Sequence, residues 1–335
     1  MKTPDRLNLV KETPLYALTK TAIKLGEIGR LFIKRDDLTG LEFSGNKIRK
    51  LQYIAADALQ KGHDTLVTEG TWQSNHCRAT AALCARFGLH CMLLIRPRTF
   101  VPPQGNLFLN LLFGAETREF PRPDFDTNRT SIVAEVMDDL RSKGRNPRWV
   151  PMGASEPLGC WGYIEAAREL NEQRQRMQSA HSGAEADLVV AASSCGTLAG
   201  LLLGKWLHKL DWLQIHAIPV SDDAAFIAAE TRTLCEKTIE EFNLDVTIRD
   251  DDMHLIDGYV GPGYAIPYPE VHETIRNVAR DEAIILDPVY TGKAFHGMCD
   301  QIQKGKLGSD RDVIFLHTGG IFSTFAFTDE ILASK

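Results

Sequence analysis

Asp187-Leu188-Val189-Val190-Ala191-Ala192-Ser193-Ser194-Cys195-Gly196-Thr197-Leu198-Ala199-Gly200 runs from an apolar strand, through small and hydroxyl-bearing residues, into the start of a helix. The free amides and the dipole at such a helix start favour an anion, so the turn suits a phosphate. The same small residues would also serve a tight helix–sheet contact without any ligand. The segment has no Gly-x-x-x-x-Gly-Lys-Ser/Thr, which argues against an NTP-binding loop. It has no Gly-x-Gly-x-x-Gly either, so a dinucleotide is not supported.

Outward from this turn, apolar runs alternate with helical patterns along the whole chain. The runs predict strands over Leu31–Lys34, Thr65–Thr68, His90–Ile95, Arg148–Pro151, Asp187–Ala192, Gln214–Val220, Ile284–Leu286 and Val313–His317. Helices are expected over Lys47–Lys61, Ser74–Phe87, Asp126–Lys143, Cys160–Ala180, Gly196–Leu210, Ala224–Phe242, Tyr268–Asp281 and Thr291–Gly305. This alternation predicts an α/β protein with largely parallel sheets and helices on both faces. Arg96 to Gly105, with three prolines, reads as a loop, and Ser179 to Asp187 as a surface connector. A composition break near Gly153 to Gly162 is the candidate domain boundary. Two domains suit the length of 335 residues.

A net charge of −6 argues against nucleic acid or an anionic membrane as the main partner. No apolar run is long enough for a membrane span, and residues 1–10 lack a signal-peptide core. Seven scattered cysteines fit reduced thiols in the cytoplasm better than a disulfide framework. Cys77, Cys84 and Cys91 are evenly spaced, but no Cys-x-x-Cys pair or histidine cluster accompanies them. Cys77 and Cys84 therefore read as small core residues on one helix face, and no metal is expected.

Ser44-Gly45-Asn46-Lys47-Ile48-Arg49-Lys50-Leu51 enters a helix, with Asn46 a plausible N-cap. Gly45 allows a positive φ or a close approach by other backbone. Lys47 and Lys50 share one face, and two ammonium groups lower each other's pKa. Such a lysine is a good imine nucleophile. On these residues alone, a solvated basic helix start is the favoured reading, because surface lysines are so common. Gly70-Thr71-Trp72-Gln73-Ser74-Asn75-His76 and His317-Thr318-Gly319-Gly320 are two further polar turns after strands. Three such turns at strand C-termini suggest one cleft, where open α/β sheets bind ligands.

Eight motifs stand in order: Thr13-Pro14-Leu15, Lys34-Arg35-Asp36-Asp37-Leu38, Gly45-Asn46-Lys47-x-Arg49-Lys50-Leu51, Gln73-Ser74-Asn75-His76-x-Arg78, Cys195-Gly196-Thr197, Tyr259-Val260-Gly261-Pro262-Gly263-Tyr264, Asp287-Pro288-Val289-Tyr290-Thr291-Gly292-Lys293 and His317-Thr318-Gly319-Gly320. Together they resemble the D-cysteine desulfhydrase and 1-aminocyclopropane-1-carboxylate (ACC) deaminase family of pyridoxal-5′-phosphate (PLP) enzymes, over residues 8–327. The resemblance implies PLP fold type II, the tryptophan-synthase-β-like fold, with two open, mostly parallel sheets. It implies a large domain of residues 1–47 and 161–335, a small one of 48–160, and PLP between them. Lys47 then forms the Schiff base. Lys50 and the turn Ser194, Cys195, Gly196, Thr197 and Leu198 hold the phosphate. Asn75 bonds the phenolic oxygen, Thr291 lies near the pyridine nitrogen, and Thr318 adds to the cofactor site. Ser74, Asn75 and His76 face the substrate carboxylate, with Trp72, Tyr264 and Tyr290 on the substrate side. Lys47, Ser74 and Tyr290 carry the catalysis.

Several positions depart from the pattern. ACC deaminases carry Glu where this chain has Thr291, and a neutral partner leaves the ring a weaker electron sink. That suits β-elimination better than cyclopropane opening. Trp72, Ser155-Glu156 and Cys160-Trp161 are also atypical, which leaves the substrate open. The expectation is a cytoplasmic, homodimeric lyase that eliminates the β-substituent of a small amino acid and releases keto acid and ammonia. ACC deamination, β-replacement, racemisation and a PLP binder without catalysis are the alternatives.

Overall fold

The computed structural model describes residues 3–26, 31–96, 102–178, 185–308 and 310–333. Ten strands form two sheets: β1 (Leu15–Ala17), β2 (Leu31–Lys34), β3 (Thr65–Thr71), β4 (His90–Arg96), β5 (Glu116–Glu119), β6 (Pro147–Trp149), β7 (Ala186–Ala192), β8 (Leu213–Pro219), β9 (His254–Leu255) and β10 (Asp312–Leu316). One sheet has the order β1-β2-β10-β7-β8-β9, the other β5-β4-β3-β6. Every pairing is parallel except the edge pair β1–β2. Alternate residues of the central strands feed opposite faces. Val189, Val313 and Phe315 join one core, and Leu188, Val190, Ile314 and Leu316 the other. In the smaller sheet Leu66, Leu93 and Ile95 pack on one side, and Val67, Met92 and Leu94 on the other.

Three short edge strands were not expected. β5 reads Glu-Thr-Arg-Glu and gives no apolar signal, while β1 and β9 have only three and two residues. Conversely, Ile284–Leu286 forms no strand. Ile284 and Leu286 are buried and Ile285 is exposed, so the alternation is real, but the segment pairs with no neighbour. Its carbonyls go to side chains: Ile285 O lies 3.0 Å from His317 Nε2, and Leu286 O accepts from Thr324 Oγ1. Residues 97–101 and 179–184 of the two expected loops lie outside the described residues.

The helices Lys47–Gln60, Pro157–Gln178 and Gly196–Leu207 pack together between the sheets. Gly162 permits the closest approach, since a Cβ there would stand 2.4 Å from Arg49 O. A buried polar knot pins the first of these helices. Asp36 accepts from Arg49 Nε (2.9 Å) and Nη2 (2.8 Å), from Tyr163 Oη (2.6 Å) and from Thr13 Oγ1 (2.7 Å). Arg49 also donates to both oxygens of Glu169, and Lys34 Nζ reaches Glu169, Gln173 and the Thr13 carbonyl. Arg49 is two residues from Lys47, so the knot fixes the helix that carries that amine.

Candidate active site

Lys47 opens its helix because the chain makes a sharp approach to the C-terminal end of β10. Gly45 has φ +111°, and a Cβ there would stand 2.7 Å from Thr318 O. Both readings of that glycine therefore hold. Asn46 N donates to Thr318 O at 2.9 Å. Asn46 takes the N-cap position, but its own backbone is helical (φ −62°, ψ −22°), and its side chain makes no cap. Its amide instead donates to Thr197 Oγ1 at 3.0 Å, joining the lysine turn to the phosphate turn. Lys47 is half-buried, and the desolvation of its amine lowers its pKa to about 8, while the Asp287 carboxylate opposes the shift. The PLP-free protein is expected to capture the cofactor faster as pH rises, about tenfold per unit below 8, because only the neutral amine attacks. Stopped-flow absorbance checks this: a plateau above pH 8 is expected, whereas an ordinary lysine levels off near 10.4.

The turn 193–198 follows β7 as expected. Cys195 adopts a left-handed backbone, φ +63°, just before the helix, so the first-turn amides face out of the turn. Gly196 N lies 3.2 Å from Ser155 Oγ, which accepts its proton. A Cβ on Gly196 would meet Lys50 Nζ at 3.2 Å and Ser155 Oγ at 2.8 Å. Lys50 Nζ is fully buried and has no hydrogen-bond partner among the described residues. Burial, then the charge of Lys47, pushes its pKa well below the usual lysine range. An orphaned ammonium beside a helix N-terminus is what a phosphate completes. These residues therefore fit PLP: a dianion at Lys50 and the turn, and an aldehyde at Lys47. Lys50→Met is expected to raise the Tm of the PLP-free protein by relieving the orphan, yet to weaken PLP binding by about 1.5–3 kcal/mol. Calorimetry and a PLP titration read the two opposite signs.

Ser74 caps the helix Asn75–Phe87, its Oγ accepting from Cys77 N. The hydroxyl proton stays available. Asn75 Oδ1 accepts from Asn106 Nδ2 (2.8 Å), which turns the Asn75 amide nitrogen outward. Asn106 is in turn held by Arg78, whose other nitrogens donate to the carbonyls of Glu42 and Ser44, both at 2.6 Å. Burial brings the Arg78 pKa down to about 9, with Glu42 opposing. One arginine thus ties the Asn75 turn to the segment before Lys47. His76 Nε2 lies 2.8 Å from Thr68 Oγ1, whose own proton goes to Val150 O. Nε2 must therefore donate, leaving Nδ1 as a buried acceptor. Burial, with Lys47 and Lys50 nearby, pushes His76 well below the usual histidine range, so the ring is neutral.

The opposite wall carries Tyr264 and Tyr290, hydroxyl to hydroxyl, with rings edge-on at 5.9 Å. Burial raises both phenols, Tyr290 well above the usual range. Asp287 accepts from the amides of Val289, Tyr290 and Thr291 and so caps the helix Thr291–Gln303. Thr291 is fully buried; its hydroxyl donates to Asp287 Oδ1 (2.7 Å) and accepts from Asp287 N (2.8 Å). Its single proton is thus spent on Asp287 rather than on the cleft. Lys293 Nζ donates to the carbonyls of Val260 (2.6 Å) and Gly263 (2.8 Å), fixing the Tyr264 loop.

These walls enclose a cleft of about 740 Å³. Of the residues singled out in the sequence, Lys47, Trp72, Ser74, Asn75, His76, Ser194, Cys195, Thr197, Leu198, Tyr264, Tyr290 and Thr318 line it. Lys50, Gly196 and Thr291 stand behind its surface. Trp161 is core, fully buried and edge-on to Phe242. Cys77 and Cys84 are core residues too, and burial pushes the Cys77 thiol up to about 12. Sequence reasoning missed Glu69, Arg96, Arg129, Asp222 and Glu230, which also line the cleft.

A half-buried amine, a helix start beside an orphaned ammonium and a second helix start with free donors together fit a PLP site. Residues 7–319 match the family described as pyridoxal-phosphate dependent enzyme, and the chain belongs to that family. It is an enzyme of PLP fold type II, and PLP is its cofactor. It is 36% identical over 327 residues to the mitochondrial bifunctional D-cysteine desulfhydrase/1-aminocyclopropane-1-carboxylate deaminase of Arabidopsis thaliana, covering 95% of this chain and 79% of the relative. It is 35% identical over 328 residues to the D-cysteine desulfhydrase of Salmonella newport, covering 96% of each. A crystal structure of an ACC deaminase homologue superposes with a TM-score of 0.86 at 36% identity, covering 99% of this chain and 97% of that one.

Proposed function

We propose that this protein is a lyase acting on a small β-substituted amino acid, in line with its likeness to the D-cysteine desulfhydrase of Salmonella newport. The carrying observation is one half-buried amine with a pKa near 8, Lys47, in the same cleft as a phenol, Tyr290, held fully protonated. The first is fit to take a proton and the second to give one. When bound, PLP supplies the electron sink that acidifies the substrate's α-carbon. Lys47 Nζ removes the α-proton. The bond from Cβ to its substituent breaks, and the substituent leaves with the electron pair and takes a proton from Tyr290 Oη. The proton on Lys47 returns to Cβ, Tyr290 Oη regains its proton from solvent, and one water hydrolyses the carbon–nitrogen bond, giving keto acid and ammonia. Ser74 Oγ, the outward amide of Asn75 and the adjacent N–H groups hold the substrate carboxylate, and Trp72 narrows its approach. His76, neutral with Nδ1 as acceptor, adds no charge there. For Thr291 to serve a ring nitrogen, its proton must turn away from Asp287; as a neutral group it favours elimination over ring opening.

Residues 48–160, which carry the four-stranded sheet, form the smaller unit in this reading, and 1–47 with 161–335 the larger. The substrate is small, and the assembly a homodimer in the cytoplasm. Seven free cysteines, six of them buried, support a reducing compartment. Among the described residues no helix is long and apolar enough to cross a membrane.

Incubating the holoenzyme with D- and L-cysteine, β-chloroalanine and ACC tests the reaction. Keto acid and ammonia are expected from β-chloroalanine and one cysteine enantiomer, and not from ACC. Turnover of ACC alone, or of none of them with PLP bound, would overturn elimination.

A further inference from the structure

The wall beyond Ser74 carries charges that elimination itself does not use. Strands β3 and β4 pair in register, Thr71 opposite Arg96 and Glu69 opposite Leu94, so Glu69, Thr71 and Arg96 share one face. All three line the cleft, and so does Arg129. Glu69 is 1% exposed. Its Oε1 accepts from Arg129 Nε at 2.6 Å, and its Oε2 is buried without a partner. Arg129 follows Asn128, the one non-helical residue (φ −113°, ψ 18°) inside the helix Arg122–Ser142. Its side chain is half exposed, so Glu69 holds a cation at the cleft mouth that would otherwise sample many rotamers.

Arg96 is the less committed of the two. Its Nε is buried and unpartnered among the described residues. Its other nitrogens meet Asp126 at 3.3 Å, near solvent, and the Met152 sulfur at 3.4 Å; the guanidinium lies over the Phe125 ring. A long, exposed ion pair and a thioether satisfy a guanidinium poorly. Arg96 is also close enough to Tyr264 for its charge to favour ionisation of that phenol, and Tyr264 touches Tyr290. The cation thus shares one cleft with the Tyr264–Tyr290 pair. Asp222 and Glu230 line the cleft as well and act on the Cys195 turn. Glu69 and Asp126 match the two guanidinium groups in number, so the donor left over is Arg96, with its buried Nε and its long, exposed pair.

We propose that Arg96, with Arg129 anchored by Glu69, selects substrates whose β-substituent ends in an oxyanion. This rests on the elimination reading, since it places the leaving group at Tyr290. A guanidinium binds carboxylate, sulfonate and phosphate oxygens through the same planar fork, so the shared chemistry is the anionic tip.

The test uses the holoenzyme and two thioether amino acids of matched length, S-carboxymethylcysteine and the neutral S-(2-hydroxyethyl)cysteine, each as both enantiomers. Affinity is read from the change in cofactor absorbance, and turnover from keto acid. The carboxylate is expected to bind at least tenfold tighter, with the advantage shrinking as salt rises. Arg96→Gln should bring the affinity ratio close to one, and Arg96→Lys should keep part of it. Arg129→Gln, at a half-exposed position, should lower the ratio as well and covers a failure of the Arg96 variants to fold. Equal affinities in the wild type, or a ratio unmoved by the variants, would overturn the subsite. β-Chloroalanine, which carries no anion, separates the two readings. Its elimination without carboxylate preference removes the subsite and keeps the reaction; carboxylate preference without any elimination does the reverse.

Discussion

Lys47→Ala is expected to erase the visible absorbance of bound cofactor and to lower turnover about 10³-fold or more, the range for a positioned acid–base group. Borohydride reduction and peptide mapping of the wild type should place the cofactor on the Lys47 peptide. Amine acidity alone does not choose this lysine. Burial brings Lys293 to about 8 as well, with Asp287 opposing, and lowers Lys50 further still. Geometry chooses it. Lys293 Nζ is already bound to the Val260 and Gly263 carbonyls. Lys50 Nζ faces the Gly196 turn, where a phosphate, not an aldehyde, completes it. Among the three, only Lys47 lines the cleft. Cofactor recovered on Lys50 or Lys293 would refute the assignment.

The parts of the site that follow a strand were legible in the sequence, because a turn between a strand and a helix is written in contiguous residues. The Ser194 turn and the Ser74 turn read that way, and the Gly45-Asn46-Lys47 entry, though it follows a loop, is likewise written in contiguous residues. Contacts between distant segments were not legible. Nothing near Asn46 says that its amide will reach Thr197, 151 residues away, instead of capping its own helix. Nothing near Arg78 says that it will hold Asn106 and the Ser44 carbonyl together. Thr291 shows the limit from the other side. The resemblance puts it beside the cofactor, yet its hydroxyl is taken by Asp287, four residues earlier. Ile284–Leu286 has the alternation of a strand, but pairing depends on a neighbour that only the fold supplies. The Glu69–Arg129 pair joins a buried strand end to a helix break, and a lone glutamate in an apolar run carries no such message.

Asp36→Ala is expected to destabilise the protein by about 3–5 kcal/mol, since it leaves the Arg49 guanidinium buried with half of its partners gone. Asp36 is fully buried, and burial alone would raise its pKa. The charges of Arg49 and Lys34, with bonds from Arg49 and Tyr163, win and bring it down to about 2. A carboxyl held below its unfolded value of 3.8 stabilises the native state at every pH above 3.8. That contribution, about 2 kcal/mol, is lost as pH falls from 3.8 through 2. Urea unfolding of wild type and variant reads both effects: a lower midpoint at unchanged slope at pH 7, and a weaker acid dependence in the variant below pH 4. A loss under about 1 kcal/mol would mean that Glu169 alone satisfies Arg49. The same substitution should weaken PLP binding, although Asp36 does not line the cleft. Arg49 stands two residues after Lys47 on one helix, and that helix begins at the Thr318 contact. If the knot is what holds it, PLP affinity in Asp36→Asn, which keeps the shape and removes the charge, should fall between wild type and alanine. Loss of stability with unchanged PLP affinity would separate the knot from the site.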